Sequence, residues 1–325
     1  MGKDTIKVLL VGQPYWTNHL CTLMNRYASD MVTGDYVPIP GAKPWGLVRR
    51  LCQADLILRV GFRPGMRKLK TRVFDMFWHA FHSVNAKAVW GYYWIGSDLY
   101  ATIRDYRSHT LTWFFSKIHN DHHLAGAQWF REELKEIGIS GSVCLFPDEL
   151  PVTGSDDLCW PRDFGVLSYV PDPSYVFYGG ESLLRAARVL PHMRFDIVGG
   201  TGKWVENPLP NVRFHGWQTN LLPFFMDSTV MVRLVPHDAL GGMVRKALTL
   251  ARHVIYSYSI PFTRHVDWQD EEALIQTLQE LYEKHVKGQL APNLEGREYA
   301  LREWNGAVLT RNLTNTLMKL VQTAS

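Results

Sequence analysis

Short, almost uninterrupted apolar runs, each followed by a turn and a helical pattern, recur along the whole chain. Ile6–Val11 is such a run and ends at Gly12, and Gly165–Tyr169 opens a second series of the same kind. A continuous apolar run of this length is typical of a parallel strand that is covered on both faces. Since strands of this kind alternate with helices, the sequence predicts open, parallel α/β sheets.

The two series predict particular elements. In the first half we expect a helix over Thr17–Tyr27, and a helix over His122–Ile137 that Asp121 caps and Gly138 ends. The further strands expected there are Leu56–Val60, Ala88–Tyr92, Thr112–Lys117 and Ser142–Phe146. In the second half the expected strands are Gly165–Tyr169, Arg194–Val198, Val212–His215, Val230–Leu234 and Val254–Ser257, and the expected helices are Gly180–Leu190, Leu221–Met226, Met243–Ala251, Glu271–Val286 and Glu298–Val321.

The length of the chain and one irregular stretch predict two domains. At 325 residues the chain exceeds the usual size of a single domain. Phe146–Arg162 carries three prolines, a Gly-Ser pair and several acidic residues, as linkers between domains do. We therefore predict domains over residues 1–150 and 151–300, followed by a C-terminal helix over 301–325.

Composition excludes several classes of protein. The cysteines at positions 21, 52, 144 and 159 are scattered, which predicts reduced thiols rather than a disulfide framework. No run of about 18 apolar residues would cross a membrane, and no signal-peptide pattern opens the chain, so a cytoplasmic protein is expected. The net charge of +4 is compatible with an anionic ligand, but the basic residues form a single cluster, which argues against nucleic acid as a partner.

The stretch from Val230 to Ile255 is the most informative for function. An apolar strand ends at Pro236, and a loop with Gly241 and Gly242 leads into a helix that starts near Met243. Glycines in front of a helix let a bulky anion approach backbone N–H groups, which the helix dipole makes favourable for negative charge.

Two cations follow in the first turn of this helix. Arg245 and Lys246 oppose the helix dipole there, and a bound diphosphate would account for their position. The alternative is an ordinary glycine loop with two solvated cations, because a glycine-rich strand–loop–helix is by itself a weak signal.

Residues 230–255 resemble the donor-site signature of the GT-B glycosyltransferases, especially the retaining enzymes of family 4. Lys246-Ala247-Leu248 falls on the Glu-Ala-Met positions of that signature, and Asp238 falls on its first acidic position. Upstream, Phe195–Gly200 and Val212–Trp217 resemble further elements of the donor domain. The resemblance runs in order through residues 164–260.

The resemblance implies a fold, an activity and a set of residues. The implied fold is α/β, with two Rossmann-like domains facing each other across a cleft and the C-terminal helix packing back toward the N-terminal domain. The implied activity is transfer of a sugar from a nucleoside diphosphate sugar to a glycan or lipid-linked glycan. The implied catalytic residues are Asp98 and Asp238. The implied donor-binding residues are Gly12, Ser168, Tyr169, Gly199, Trp217, Arg233, His237, Gly241, Gly242, Met243, Arg245 and Lys246.

The chain also departs from the family pattern. The second glutamate of the signature, which binds the ribose in the family, is Lys246 here. The Arg and Lys that usually follow the first strand of the donor domain are replaced by residues 168–180, which contain neither. We expect Arg233, Arg245 or Lys246 to neutralise the diphosphate instead. These departures leave open a non-catalytic subunit that supports a partner enzyme, and a sugar-nucleotide epimerase of the same architecture.

In the N-terminal half, Tyr92–Asp98 resembles a Trp-x-Gly-Ser-Asp element of some GT-B enzymes. By this resemblance Asp98 contacts the acceptor hydroxyl or removes its proton, and the acceptor enters near Gly12, Trp94 and Asp98. The alternative is that Asp98 caps the helix that follows.

No metal site or cofactor is expected. His119–His123 contains three histidines, but no distant Cys or carboxylate pattern matches them, and we expect a helix cap with surface histidines. The chain has no Asp-x-Asp motif, which predicts metal-independent transfer with protein cations on the leaving group.

A last segment raises the question of a membrane. In Arg63–Phe81, five cations precede aromatic residues at helical spacing. Cations beside exposed aromatics suit a helix lying on an anionic membrane. The alternative, which we favour, is a core helix whose aromatic face packs inward.

Overall fold

The computed structural model describes residues 5–39, 44–62, 74, 78–108, 118–151 and 158–324. The chain divides into two compact units. Unit 1 comprises Met1–Asp148 and Gly306–Ser325, and unit 2 comprises Glu149–Asn305. Each unit is built on one six-stranded sheet in which every pair of neighbouring strands is parallel. The expected class of fold, two parallel α/β halves, is confirmed.

The sheet of unit 1 has the strand order β2-β1-β3-β4-β5-β6. Its strands are β1 (Ile6–Gly12), β2 (Val32–Pro38), β3 (Leu56–Val60), β4 (Val89–Trp94), β5 (His122–Ala125) and β6 (Ser142–Val143). Its helices are α1 (Pro14–Tyr27), α2 (Pro44–Gln53), α3 (Ser97–Arg107), α4 (Gln128–Glu136) and the last helix, α10 (Gly306–Ala324), with a 3₁₀ turn at Trp78–Val84. Every residue of β3 and β4 is buried, and apart from Arg59 in β3 their sequences lack charged residues, as expected of parallel strands covered on both faces.

The C-terminal helix α10 belongs to unit 1. Leu313 and Leu317 lie in the same apolar core as Leu20 and Met24 of α1. Arg311 reinforces this packing at the surface, with one Nη atom 2.8 Å from a carboxylate oxygen of Asp30. The expectation that the C-terminal helix packs on the N-terminal domain is therefore confirmed.

Two predictions about unit 1 were wrong. His122–Ala125 is a strand that pairs with β4, and the helix begins only at Gln128, so Asp121 caps no helix there. Pairing with β4 favours a strand here more strongly than the local pattern favours a helix. Gly126 lies in the bend between the strand and the helix. The predicted strand Thr112–Lys117 lies outside the described residues.

The sheet of unit 2 has the order β12-β11-β10-β7-β8-β9. Its strands are β7 (Gly165–Tyr169), β8 (Arg194–Val198), β9 (Val212–Phe214), β10 (Val230–Arg233), β11 (His253–Tyr256) and β12 (Arg264–His265). Its helices are α5 (Gly180–Val189), α6 (Leu222–Met226), α7 (Gly242–Thr249), α8 (Glu271–Val286) and α9 (Leu294–Glu303). Counted within the unit, the order reads 3-2-1-4-5-6, which is the strand order of a dinucleotide-binding Rossmann sheet.

One prediction about the C-terminal region was also wrong. Glu298–Val321 is not a single helix, because α9 ends at Glu303 and α10 starts at Gly306. The side chain of Trp304 is buried at the break, and Asn305-Gly306 is a dipeptide that favours turns.

The remaining sequence expectations concern membranes and thiols. Among the described residues, each helix is too short or too polar to serve as a membrane span. The four cysteines are free thiols, as their spacing predicts.

Candidate donor site at the carboxyl edge of unit 2

The strand order of unit 2 locates its switch point between β7 and β10. From β7 the chain continues to β8 on one side, and the later strand β10 lies on the other side. Ligands of open parallel sheets bind beyond the carboxyl ends of the strands at such a point. Two segments begin at this point. The segment after Tyr169 leads to the N-terminus of α5 at Gly180, and the segment after Arg233 leads to the N-terminus of α7 at Gly242.

Aromatic rings cover the N-terminus of α5. A Cβ atom placed on Gly180 would lie 2.8 Å from the indole of Trp204, so this ring rests directly on the start of the helix. Trp204 in turn stacks on Tyr175, with ring centroids 4.5 Å apart and planes at 6°. Both rings pack against the apolar core of unit 2, so they occupy the space beside the first residue of α5. The N–H of Gly180 itself donates to the Tyr175 carbonyl over 2.8 Å.

The N-terminus of α7 is different. Its first intrahelical bond runs from the N–H of Val244 to the carbonyl of Gly241, over 3.0 Å, so the N–H groups of Gly242 and Met243 precede the helical pattern. These groups carry the positive end of the helix dipole. Arg245 in the first turn is buried, and Lys246 in the last turn is half-buried. The expectation that both cations lie in the first turn is therefore wrong for Lys246, because the helix already begins at Gly242. Of the two helix N-termini at the switch point, α7 therefore fits an anion.

A buried ion pair shapes the loop that leads into α7. The Nε atom of Arg233, the last residue of β10, lies 2.5 Å from Oδ2 of Asp238, and its Nη2 lies 3.0 Å from Oδ1. The Tyr256 hydroxyl and the Gly241 N–H each donate to Oδ2 over 3.0 Å. The guanidinium also lies over the ring of Tyr178, 5.4 Å from its centroid. The pair has the two-pronged geometry that makes Arg–carboxylate contacts strong.

The ion pair determines the charge of both partners. Burial raises the pKa of the Asp238 carboxyl, but Arg233, Tyr256 and the Gly241 N–H outweigh burial and hold that pKa below its ordinary value. Burial likewise lowers the pKa of Arg233, and Asp238 outweighs this and raises it. Both side chains are charged at neutral pH, and their charges cancel. Asp238 is thus a poor proton acceptor, and Arg233 adds no net positive charge to the site.

The same pair explains why residue 241 is glycine. A Cβ atom at this position would lie 2.6 Å from Nε of Arg233 and 2.8 Å from Oδ2 of Asp238. Only a residue without a side chain lets the pair close against the backbone at the start of α7.

The other expected donor-site residues of unit 2 have varied surroundings. Ser168 is buried and donates its hydroxyl to the carbonyl of Val232, which ties β7 to β10. The ring of Tyr169 rests on Gly199, whose φ is +93° and where a Cβ atom would lie 2.5 Å from the ring. His237 is buried, and Trp217 is 73% exposed.

Sequence reasoning missed Asp172, which joins two loops at this edge of the sheet. Its carboxylate accepts hydrogen bonds from the N–H groups of Thr201, Gly202 and Lys203, after β8, and from the Thr201 hydroxyl. The Thr201 N–H contributes most to holding the pKa of this carboxyl below its ordinary value. The available signals were the turn-forming run Pro171–Ser174 and the glycines of the loop after β8.

Gly12, Trp94 and Asp98 lie in unit 1, and all three are buried. A Cβ atom on Gly12 would lie 2.2 Å from the carbonyl oxygen of Val60. Asp98 is the second residue of α3, and its carboxylate accepts from the N–H of Gly96 over 2.7 Å and from that of Ile95 over 3.2 Å. Asp98 thus fixes the turn that precedes its helix.

The histidine-rich segment has a different structure from the one expected. His123 is a buried residue of β5, not a surface histidine, and its ring lies between the Trp94 N–H, 3.1 Å away, and the Ile118 carbonyl, 2.8 Å away. Burial lowers the pKa of His123 to about 4 and raises the pKa of the neighbouring Asp121 to about 7. Within the described ranges, no three His, Cys, Asp or Glu side chains come together in a way that would hold a metal ion.

The described part of Arg63–Phe81 packs inward. The Trp78 side chain is completely buried, and its ring lies 5.6 Å from that of Phe74 and 5.3 Å from that of Trp90. Trp78 thus contributes to the core, in agreement with the inward packing favoured above, whereas Phe77 lies outside the described residues. The cations of the segment at positions 63–72 lie outside the described residues.

Comparisons with known proteins identify the fold. No protein-family model matches the chain, and no curated protein matches its sequence. Among solved structures, the chain is similar to Anabaena Alr3699/HepE in complex with UDP-glucose, with 13% identity, a TM-score of 0.69, and 97% of this chain and 100% of that chain covered. It is also similar to sucrose-phosphate synthase (tll1590) from Thermosynechococcus elongatus, with 12% identity, a TM-score of 0.70, and 98% and 100% covered.

A third similar structure is that of a putative UDP-N-acetylglucosamine 2-epimerase from Listeria monocytogenes, with 10% identity, a TM-score of 0.53, and 98% and 97% covered. At these identities the likeness concerns the fold, and it extends over nearly the whole of each chain. The chain has the two-domain fold of the GT-B glycosyltransferases.

Proposed function

We propose that the chain is a glycosyltransferase that takes a sugar from a nucleoside diphosphate sugar, with the diphosphate bound at the N-terminus of α7. The observation that carries this proposal is the contrast between the two helix N-termini at the switch point. Trp204 covers that of α5, whereas that of α7 follows a glycine loop that the Arg233–Asp238 pair holds in shape. HepE, which shares the fold, was crystallised with UDP-glucose, and this supports the choice of donor.

Lys246 is the cation to which we assign the phosphate. Arg233 is neutralised by Asp238, so it orients the loop instead of adding charge. Lys246 is the fifth residue of α7 and is half-buried, so a charge-assisted bond from its ammonium to phosphate is stronger than in open solvent. Because side chains of a helix lean toward its N-terminus, this ammonium can reach back to a phosphate bound there. Under this assignment, the lysine that stands in place of the signature's glutamate binds the diphosphate.

The reaction exchanges one bond at the anomeric carbon of the donor. The bond from this carbon to the diphosphate oxygen breaks, and a bond to the acceptor hydroxyl oxygen forms. The leaving diphosphate gains negative charge as the bond breaks. The Gly242 and Met243 N–H groups and Lys246 stabilise that charge, which supplies what a divalent ion supplies in other transferases. We propose metal-independent chemistry without a cofactor, and full activity in EDTA is the expected result.

The acceptor proton needs a destination. We propose that Asp98 and Asp238 are positioning residues, since hydrogen-bond donors already surround both carboxylates. The proton of the acceptor hydroxyl then passes to the departing diphosphate oxygen and from there to water. This route leaves the two carboxylates ionised throughout, and it agrees with the retaining chemistry that the sequence resemblance implies.

The finer parts of the proposal concern the acceptor and the location. We propose a glycan or lipid-linked glycan as acceptor in the cytoplasm, with contact to an anionic membrane through the cations of residues 63–72. Because Trp78 is buried in the core, this contact would be electrostatic. Flotation with liposomes that contain or lack anionic lipid tests it, and equal binding to both would exclude it.

A non-catalytic subunit is the second candidate. The hydrogen bonds that the carboxylates of Asp98 and Asp238 already accept favour it, because they leave neither group poised to take a proton. Release of the nucleoside diphosphate separates the candidates. A transferase releases UDP from UDP-glucose slowly in water and faster with an acceptor, while a subunit that only binds releases none. An epimerase would change the configuration of the donor sugar and would need no acceptor.

Binding of UDP-glucose to Lys246→Ala tests the assignment of the phosphate. Loss of a charge-assisted hydrogen bond weakens binding by about 1.5–3 kcal/mol, which corresponds to roughly a 10- to 150-fold rise in the dissociation constant. Lys287→Ala, which removes an exposed lysine at the far end of α8, is the matched control and should bind normally. Unchanged affinity of Lys246→Ala would exclude Lys246 from the phosphate site.

A further inference from the structure

The carboxyl edge of the unit 1 sheet presents two exposed aromatic rings. Helix α1 begins at Pro14, directly after β1, so its first turn lies at this edge. Tyr15 is 68% exposed and Trp16 is 37% exposed, and their ring centroids are 4.8 Å apart with planes at 83°. Single exposed aromatic residues are common on protein surfaces. Two adjacent rings at the carboxyl end of a parallel strand, where ligands of such sheets bind, instead indicate a binding surface.

The two rings are held from below. Trp16 packs edge-on against the buried ring of Phe146, with centroids 5.3 Å apart. The ring of His19, one turn further along α1, lies parallel to that of Tyr15, with centroids 6.1 Å apart and planes at 2°, and close to parallel to that of Phe146, with centroids 6.3 Å apart and planes at 18°. A ring fixed in this way loses little conformational freedom when a ligand binds.

A carboxylate lies beside the rings. Oδ1 of Asp148 is 3.3 Å from Nε2 of His19. Burial, and to a smaller extent the charge of Asp148, raise the pKa of Tyr15. The edge thus combines a rigid apolar ring face with a carboxylate that accepts hydrogen bonds.

We infer that Tyr15 and Trp16 bind a sugar ring of the acceptor, with Asp148 accepting hydrogen bonds from its hydroxyls. A sugar ring has an apolar C–H face and a rim of hydroxyls, which matches aromatic rings flanked by a carboxylate. An acyl chain does not match, because it would strip water from Asp148 without replacing it. The inference rests on the proposed transferase function, and it replaces the buried Gly12, Trp94 and Asp98 as residues that contact the acceptor.

Saturation-transfer NMR on the full chain tests the inference, with methyl glycosides of glucose, galactose and N-acetylglucosamine as probes. We expect at least one glycoside to receive saturation at its ring C–H protons. Tyr15→Ala should reduce that signal at least fivefold, and Tyr15→Phe, which keeps the ring, should retain most of it. Because Tyr15 is largely exposed, both variants should fold, which far-UV circular dichroism checks.

The matched control is Trp45→Ala, which removes a ring that is 86% exposed at the start of α2. The inference is wrong if no glycoside binds, if Tyr15→Ala and Trp45→Ala behave alike, or if Tyr15→Ala instead abolishes binding to phosphatidylglycerol vesicles. A thermal shift of the wild type with UDP-glucose separates this failure from failure of the proposed function. If UDP-glucose stabilises the protein and the glycosides do not bind, the acceptor assignment alone fails.

Discussion

The contributions of Arg233 and Asp238 to stability should be strongly coupled. Removing one of the two charges should destabilise the protein far more than removing one charge of an ion pair at the surface. Asp238→Asn preserves the shape of the side chain and leaves the Arg233 guanidinium buried without its counter-charge. Breaking a buried ion pair from one side destabilises by about 3–5 kcal/mol. Because the asparagine carbonyl still accepts from Tyr256, we expect a loss of about 3 kcal/mol, the lower end of that range.

A double-mutant cycle isolates the interaction. Arg233→Met should also destabilise by about 3 kcal/mol, since it leaves the Asp238 carboxylate buried without its cation. The double variant has neither buried charge, so its loss should fall short of the sum by about 2 kcal/mol. A surface pair such as Arg185 with Glu271, whose side chains lie 2.8 Å apart, should show a coupling of less than about 1 kcal/mol.

Hydrogen exchange followed by mass spectrometry suits the measurement, because a chain with two units need not unfold in one step. Peptides from residues 230–250 report on the site, and peptides from β3 and β4 serve as an internal reference. The pKa of Asp238 is held below its ordinary value, so the stabilisation is complete above about pH 4 and is lost only as the pH falls below that value. The difference between wild type and Asp238→Asn should therefore be constant from pH 5 to pH 8. A strictly additive cycle, or a loss below about 1 kcal/mol, would refute the reasoning.

Three further predictions follow from the geometry. Burial raises the pKa of the Asp121 carboxyl to about 7, so between about pH 4 and pH 7 the folded state holds a proton that the unfolded state has lost. The stability of unit 1 should therefore fall as the pH rises through this range, and Asp121→Asn should remove that fall. After solvent screening of a partly exposed carboxyl we expect a gain of roughly 1–2 kcal/mol at pH 8, measured by urea denaturation at pH 5 and pH 8, and an unchanged pH profile would contradict it. Gly241→Ala should destabilise unit 2 by about 1–3 kcal/mol through overpacking and weaken UDP-glucose binding in calorimetry, and normal affinity would show that the loop tolerates a side chain. Asp172→Ala should speed exchange of the Thr201 and Gly202 amides more than tenfold, whereas unchanged protection would mean that the loop holds its shape without the carboxylate.

The strands that the sequence predicts best are those with a single physical explanation. β3, β7 and β8 have the predicted bounds because nearly all of their residues are buried and most are therefore apolar, which makes the runs stand out in the sequence. β2 was missed because it contains Gly34, Asp35 and Pro38, and several of its residues are partly or fully exposed. The strand at His122–Ala125 was mistaken for a helix because its identity depends on pairing with β4, which no local pattern reveals.

The candidate site shows the same division. The glycine loop before α7 and the cations Arg245 and Lys246 within it are visible in the sequence, since they are local. The bond from Tyr256 to Asp238 joins residues 18 positions apart, and the cover of Trp204 over Gly180 depends on how two loops fold together. Such contacts follow from strand order and packing, so the sequence does not reveal them. Our proposal that Asp238, a catalytic residue by the resemblance, is a positioning residue rests on these contacts.

A crystal structure of the protein with UDP tests the central claim most directly. The account predicts that the β-phosphate lies within hydrogen-bond distance of the Gly242 and Met243 N–H groups and of the Lys246 ammonium, with Asp238 still paired to Arg233. A nucleotide bound with its phosphates at the N-terminus of α5, with Trp204 displaced, would contradict it.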